Sequence, residues 1–169
     1  MTSNGMACWI GGLSLIALTI AMHSIALVFI ALLLVRLRRR VARSNLGYRS
    51  MLWFVILGVA ATGGALAFLH AAEIAIWAIS YVAIGAMGSW TDAVLYSIDS
   101  MTTRGASGLE VAEEWRLMGA LEAADGMLLF GISTAFLFAV AQQISPMLTG
   151  AGSPRDPAIE PGNTRNREP

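Results

Sequence analysis

Four ionisable side chains lie in stretches of the chain that are otherwise apolar. His70 and Glu73 are three residues apart, and so are Glu122 and Asp125, so each pair shares one helix face. If the two helices are antiparallel and level at their inner ends, Glu73 lies level with Glu122. His70 then lies level with Asp125, and both levels are about 28–33 Å from the inner end, near the outer interface. An ionisable residue inside a membrane is by default a candidate for a functional site.

Three kinds of chemistry fit this intramembrane polar cluster. In the structural interpretation, which we favour, His70 bonds Asp125 or Glu122 and locks the two helices together. A carboxylate-bridged metal site uses the same ligand types, but one histidine among acids is a weak signal and we expect no metal ligand. A histidine among acids also titrates near neutrality, which suits pH sensing. His23, in the first apolar stretch, has no visible partner, and we interpret it as a satisfied or helix-facing histidine rather than a ligand.

A second pair of charged residues lies near the end of the short segment that begins at Trp90. The stretch LYSIDSMTTRGASG (95–108) places Asp99 five residues before Arg104. An unpaired charge at membrane depth is costly. We therefore expect either an Asp99–Arg104 ion pair or an Arg104 side chain that is simply solvated.

Composition predicts an all-helical membrane protein. The 169 residues are 56% hydrophobic and 13% charged, which is too apolar for an ordinary soluble domain. Residues 10–35 and 113–144 are long enough to span a bilayer, which takes ~20 residues. Residues 52–69 predict another span, continuing unbroken to about residue 87. Residues 90–103 are too short to cross and precede a glycine-rich loop, which indicates a re-entrant element; Ser89 or Thr91 is its expected helix cap.

The predicted fold is therefore three transmembrane helices with a re-entrant pore helix and loop between the second and third. Six of the eleven arginines lie between residues 36 and 50 without an acid among them, so the positive-inside rule places that loop in the cytoplasm and the N-terminus outside. Pro146 is expected to end the last helix. The predicted divisions are a short periplasmic N-terminus (1–9), the first span (10–35), an Arg-rich cytoplasmic loop (36–50), a pore module (51–145) containing the pore helix and loop (90–109), and a disordered cytoplasmic tail (146–169).

The order span, pore helix, Thr-Thr-x-Gly, span resembles the pore-loop ion channels, and in particular the small bacterial two-transmembrane potassium channel-like family. The resemblance covers about residues 50–145. It is carried by LYSIDSMTTRG (95–105), by Trp90 before the pore helix, by WRLMGALEA after the loop, and by Gly126 and Gly131 in the last helix. It implies a homotetramer around one pore, in which backbone carbonyls replace the water shell of a potassium ion. It also implies a selectivity filter at Thr102, Thr103, Arg104, Gly105, Ala106, Ser107 and Gly108, filter support from Asp99 and Arg104, and hinges at Gly126 and Gly131.

The filter segment departs from the family's Thr-Val-Gly-Tyr-Gly-like pattern. Arg104 replaces a branched apolar residue, Ala106 the aromatic, Ser107 the second glycine and Gly108 an acid. A serine at a filter glycine costs of order 1–3 kcal/mol in backbone strain, unless Gly108 takes that role one position later. In the family geometry the side chain of Arg104 faces backward, against the pore helix. A ring of four arginines around the pore axis is a further alternative, and it would repel cations.

These observations predict a potassium channel-like subunit in a bacterial inner membrane that conducts potassium or another monovalent cation passively. The alternative is a non-conducting scaffold or accessory subunit that kept the channel fold and lost its filter. The chain has no nucleophile–base arrangement, phosphate loop or CxxC pair, so we expect no enzyme. We expect no cofactor and no nucleic-acid partner; the expected partners are further copies of the chain and membrane lipid.

Overall fold

The computed structural model describes residues 3–44, 47–105 and 108–149, and the regular secondary structure of these residues is helical, without a strand. The helices are α1 (Ser3–Ala42), α2 (Tyr48–Ala83), α3 (Trp90–Met101) and α4 (Arg116–Thr149), and a 3₁₀ turn (Glu113–Trp115) leads into α4. By length and composition, α1, α2 and α4 can each cross a membrane. The prediction of an all-helical membrane protein with three long apolar helices is confirmed.

The three long helices form a bundle in which α1 and α4 run in one direction and α2 in the other. At one end the Cys8 thiol of α1 donates to the carbonyl of Glu114, just before α4 (3.0 Å); we call this the α3 end. At the opposite end α1, α2 and α4 line a common cleft that includes Arg38, Phe54 and Ile144; we call this the arginine end. The connection from α2 to α4 therefore starts and finishes at the α3 end.

The first helix is longer than the predicted span of 10–35. It begins at Ser3, so most of the predicted N-terminal segment 1–9 is helical, and residues 1 and 2 lie outside the described residues. It also includes four of the arginines of the predicted Arg-rich loop (Arg36, Arg38, Arg39, Arg40). The prediction of a loop over residues 36–50 was wrong, because cations in the last turns of a helix interact favourably with its dipole and do not end it.

One continuous helix, α2, covers the second predicted span and its extension, and Gly85 sets where that helix ends. The N–H of Ala86 donates to the carbonyl of Tyr81 (2.9 Å), and the N–H of Gly85 donates to the carbonyl of Val82 (3.1 Å). This pair of bonds is a Schellman motif, which needs a left-handed residue after the helix. Gly85 supplies it with φ 72°, at no steric cost because it lacks a Cβ.

The short helix α3 starts at the predicted cap and lies against α2 and α4. Ser89 precedes it, and the Ser89 side chain accepts a hydrogen bond from the N–H of Asp92 (3.4 Å). Such a bond satisfies one of the free donors of the first helical turn. The Asp92 carboxylate in that turn also faces the positive end of the helix dipole.

Contacts between α3 and α4 show how far α3 extends along the bundle. The Tyr96 hydroxyl lies beside Gly119, and the Ser100 hydroxyl donates to the Gly119 carbonyl (2.9 Å). Met101, the last residue of α3, packs against Gly126 so closely that a Cβ on the glycine would be 2.7 Å from the Met101 Cα. Gly126 is ten residues into α4, which is about 15 Å along the helix axis. The chain therefore descends by this distance and then returns to the α3 end.

The last helix continues past Pro146 to Thr149, so the expectation that Pro146 ends the helix and begins a disordered tail was wrong. A proline removes one backbone hydrogen bond, and near the C-terminus of a long helix the neighbouring residues still hold the helical backbone. Residues 150–169 of the predicted tail lie outside the described residues.

Candidate functional site

The loop that follows α3 begins at a strained residue. The N–H of Thr103 donates to the carbonyl of Ser100 (2.9 Å), and the N–H of Arg104 donates to the carbonyl of Asp99 (3.0 Å). These bonds form a second Schellman motif, in which Thr103 holds the left-handed position with φ 55°. A β-branched residue in this region is an outlier that costs of order 1–3 kcal/mol. Such strain is concentrated at functional sites.

The backbone of the loop continues with further left-handed residues. Gly105 has φ 83° and Gly108 has φ 85°, so residues 103 and 105 alternate with Arg104 between them. Ala106 and Ser107, two of the predicted filter positions, lie outside the described residues. Thr102, Thr103, Arg104 and Gly105 are all exposed in the single chain. The described part of the predicted filter segment therefore lies at the surface of the single chain.

The predicted Asp99–Arg104 pair is present. The Arg104 Nη2 atom lies 2.5 Å from Asp99 Oδ1, and the Asp99 side chain is 2% exposed whereas that of Arg104 is 67% exposed. A charge-assisted bond of this kind is short and strong. The alternative of a solvated Arg104 without a partner was wrong, although its guanidinium group also contacts solvent. The pair links the body of α3 to the loop just after the strained Thr103.

Open grooves lie on both sides of the exposed loop. One, of about 300 Å³, is lined by Asp99, Ser100, Thr103, Gly105 and others. The second, of about 470 Å³, is lined by Met101, Thr102, Thr103, Met127 and Phe130. Both grooves are open to the outside of the chain, and α4 forms one wall of each. They are surfaces on which another chain or lipid can pack.

Glu110, Glu113 and Glu114, near the start of α4, are exposed acids at the α3 end. Arg116 lies 3.8 Å from Glu110, with both side chains mostly exposed. Behind the loop, burial raises the pKa of the Tyr96 phenol, the charge of Glu122 raises it further, and the charge of Arg116 opposes these effects.

A closed ring of polar side chains lies in the interior of the bundle and joins its three long helices. His23 Nδ1 is 2.7 Å from Glu73 Oε1, and His70 Nδ1 is 2.9 Å from Glu73 Oε2. On the opposite side of both imidazoles, the Nε2 atoms of His70 and His23 each lie 3.1 Å from the Ser133 hydroxyl. All four side chains are buried. We call this set of residues the histidine ring.

The two remaining acids of the predicted cluster bond elsewhere, nearer the α3 end. Asp125 Oδ2 accepts hydrogen bonds from the Thr19 hydroxyl (2.7 Å) and from the indole N–H of Trp77 (3.0 Å). Glu122 Oε2 accepts a hydrogen bond from the Tyr81 hydroxyl (2.8 Å). Both acids are fully buried. Each of these hydrogen bonds joins α4 to α1 or α2, next to α3.

The predicted pairing of the cluster was wrong in its partners. His70 bonds Glu73 and Ser133 rather than Asp125 or Glu122. His23, whose partner was not visible in the sequence, bonds the same two groups. His23 is fifteen residues from both Cys8 and Arg38, the α1 residues that mark the two ends of the bundle. The histidine ring is thus about 22 Å from either end, in the middle of α1.

The sequence contained signals for the residues that we missed. His23 is the one ionisable side chain in a long apolar stretch, and such residues usually face a bundle interior and pair with one another. Ser133, Thr19, Trp77 and Tyr81 carry single polar groups, which in lipid need a partner inside the protein. The sequence does not indicate which face of each helix is buried in the bundle, because α1, α2 and α4 are apolar all round.

The two predicted hinge glycines occupy different surroundings. Gly126 lies against the backbone of Met101, so it is the point of closest approach between α4 and α3. Nothing lies within 4 Å of a Cβ built on Gly131. Gly126 is therefore needed for packing in this structure, whereas Gly131 is not.

His23, His70 and Glu73 also offer metal-ligand atoms within 4.8 Å of one another. The contacts of the histidine ring already give each of these atoms a hydrogen-bonding partner. Hydrogen bonding therefore accounts for this donor set.

The chain matches no protein-family model, no curated protein and no solved structure.

Proposed function

We propose that the chain is a subunit of a pore-loop cation channel of the potassium channel-like class, with α3 as a re-entrant pore helix. The observation that carries this proposal is the path of α3. It starts at one end of the bundle, reaches Met101 beside Gly126 about 15 Å down α4, and the chain then returns to the same end. With α2 and α4 crossing the membrane, such a segment dips into the bilayer and leaves on the side where it entered.

The exposure of the loop supports assembly of several copies around it. Irregular backbone at membrane depth is tolerated only where protein or water covers it. In one chain Thr102, Thr103 and Gly105 are exposed, and the grooves beside them are open. The number four comes from the resemblance to the channel family. In a tetramer the grooves would receive neighbouring chains, and the loop backbone would surround a water-filled axis.

The loop is suited to a backbone filter because an ion pair with α3 holds its shape. The left-handed Thr103 and Gly105, with Arg104 between them, fit the alternating backbone with which a filter presents carbonyl oxygens to an ion. The Asp99–Arg104 pair fixes the loop to α3 (2.5 Å) and takes the place of the aromatic that the resemblance leads one to expect at residue 106. The carboxylate of Asp99 neutralises the arginine, which reduces its repulsion of a cation.

The charges at the two ends fit one orientation. The arginine end faces the cytoplasm by the positive-inside rule, which puts the α3 end and the N-terminus outside. There the exposed Glu110, Glu113 and Glu114 raise the local concentration of cations at the pore mouth. The membrane is then a bacterial inner membrane, the compartment that the resemblance implies.

The alternative function is a non-conducting scaffold or accessory subunit with the same fold. The exposed guanidinium group of Arg104 favours it, because this charge lies beside Thr103 and Gly105. Four such charges aimed at the axis would exclude cations. The two functions make opposite predictions for the purified protein.

Planar-bilayer recording of the full-length protein distinguishes them. The channel proposal predicts a saturable potassium current that Gly105→Ala abolishes, because an alanine cannot adopt φ 83° without strain. Gly64→Ala is the matched control, since nothing lies within 4 Å of a Cβ at Gly64 in α2, and it should leave the current unchanged. Silence of the wild-type tetramer in potassium, sodium and chloride salts supports the scaffold instead.

A further inference from the structure

The histidine ring contains one hydrogen too few for its contacts. It has four contacts, of 2.7, 2.9, 3.1 and 3.1 Å, and each needs one bridging hydrogen, because two lone pairs at that distance repel. Each neutral histidine brings one hydrogen, the Ser133 hydroxyl brings one, and an ionised Glu73 brings none. Three hydrogens therefore serve four contacts unless the ring binds a further proton.

From this count we propose that the histidine ring is a proton-binding site, occupied by one proton in the folded chain. The proposal places this proton on an imidazole, which in water is more basic than a carboxylate. One histidine is then an imidazolium, and its positive charge cancels the negative charge of Glu73. The occupied ring then has four hydrogens for four contacts and a net charge of zero. A buried cluster is most stable when it is both neutral and fully hydrogen-bonded. A second bound proton would add an uncompensated charge to the buried ring.

The surroundings of the ring suit a shared positive charge. Phe130 of α4 stacks on His70 with ring centroids 4.2 Å apart, and an aromatic face attracts a cation. Asp125 of α4 interacts electrostatically with both His23 and Glu73, and it accepts hydrogen bonds from Thr19 and Trp77.

The other ionisable groups on the packed helices have their own contacts or are distant. Glu122 and Tyr81 bond each other, Tyr96 of α3 lies beside Gly119, and Asp99 of α3 pairs with Arg104. On α1 the nearest ionisable neighbours of His23, Cys8 and Arg36, are more than three turns away. Asp125 is therefore the ionisable group outside the ring that interacts with it most directly.

The bound proton controls how firmly α4 is attached to the other two helices. His23 lies on α1, Glu73 and His70 lie on α2, and Ser133 lies on α4. Without the proton, the Ser133 hydroxyl can donate to one Nε2 atom only, and its second contact has no hydrogen. The site thus couples proton uptake in the middle of the bundle to the packing of α4. The inference rests on these contacts alone and does not need the channel proposal.

The chain has two histidines, so ¹⁵N-histidine NMR of the full-length protein in lipid reports on this ring alone. The test is made at about pH 8, where a histidine in water is almost wholly neutral. The proposal predicts one imidazolium and one neutral imidazole, or two rings averaged halfway between these states if the proton exchanges rapidly. Two neutral imidazoles overturn it. So does one tightly bound transition metal per chain in elemental analysis, because a metal would replace the proton.

Ser133→Ala tests the count itself. With Ser133 removed, the two contacts to Glu73 need two hydrogens, which two neutral histidines supply, so the imidazolium signal should disappear at the same pH. Thr134→Ala is the matched control, because the adjacent Thr134 hydroxyl donates to the Phe130 carbonyl of its own helix (2.8 Å), and it should keep the imidazolium. An imidazolium that persists in Ser133→Ala contradicts the proposal. If Ser133→Ala does not fold, the wild-type spectrum alone decides.

Discussion

Thr103 and Gly85 occupy the same position in two Schellman motifs, one after α3 and the other after α2. This position favours a glycine, as at Gly85. At Thr103, with φ 55°, the β-branched side chain strains the backbone. Strained residues persist where the surrounding structure holds them in place and where their geometry has a use. Here the bonds from Thr103 to Ser100 and from Arg104 to Asp99 hold the residue.

We expect Thr103→Gly to stabilise the folded chain by about 1 kcal/mol, because it removes the left-handed strain and loses only some chain entropy. Thr102→Gly is the control one residue earlier. Thr102 has φ −85°, which any residue adopts, so a glycine there should destabilise by about 0.5–1 kcal/mol. Thermal unfolding in detergent measures both. Equal losses of stability in the two variants would show that Thr103 is not strained.

At the scale of the helices, the contact between α3 and α4 depends on one glycine. A Cβ at Gly126 would collide with backbone atoms of Met101. Backbone atoms cannot move aside as the end of a flexible side chain can. Helix backbones approach this closely only where a small residue allows it. The depth that α3 reaches in the bundle therefore depends on the glycine at position 126 of α4.

Gly126→Ala should destabilise the protein by about 1–3 kcal/mol, the usual cost of forcing an extra carbon into a packed contact. Gly131→Ala is its control on the same helix. With open space around its Cβ, that alanine should be neutral or stabilise α4 by up to about 1 kcal/mol through helix propensity. Thermal unfolding of both variants in the same detergent makes the comparison. A similar response of the two glycines would contradict the close approach of α3.

The sequence predicted the helices well and their mutual rotation poorly. Length and hydropathy predicted α1, α2 and α4, and Ser89 predicted the start of α3, because these features depend on local chemistry. The Asp99–Arg104 pair was predictable for the same reason, since both residues belong to one helix end and the loop after it. The histidine ring was not, because His23, Glu73 and Ser133 lie on three separate helices that are apolar on every side.

The prediction that Glu73 lies level with Glu122 shows what counting residues cannot determine. It rested on counting residues along two antiparallel helices, which gives a depth but no rotation about the axis. In the structure Glu73 turns toward His23 of α1, a helix that the count did not include, whereas Glu122 turns toward Tyr81. Because the partner of Glu73 lies on a third helix, an argument from two helices cannot find it.

At the scale of the whole molecule, the account depends on both ends of the α3 segment lying on one side of the membrane. The bundle has its arginine end at the α1–α2 connection and its acids at the α3 end. A re-entrant α3 keeps Gly88, before the helix, and Glu110, after the loop, at the acidic end. If α3 also crossed the membrane, Gly88 and Glu110 would lie at opposite ends. The 12 residues of α3 are too few to cross, since a span needs ~20.

Cysteine accessibility measures this directly. In a Cys8→Ala background, the exposed positions Gly88→Cys, Glu110→Cys and Ser44→Cys are treated one at a time with a thiol reagent that cannot cross a bilayer, on intact spheroplasts. The account predicts that Gly88→Cys and Glu110→Cys react from outside, whereas Ser44→Cys at the arginine end reacts only after the membrane is opened. Reaction of Gly88→Cys and Glu110→Cys from opposite sides would contradict the pore-loop account.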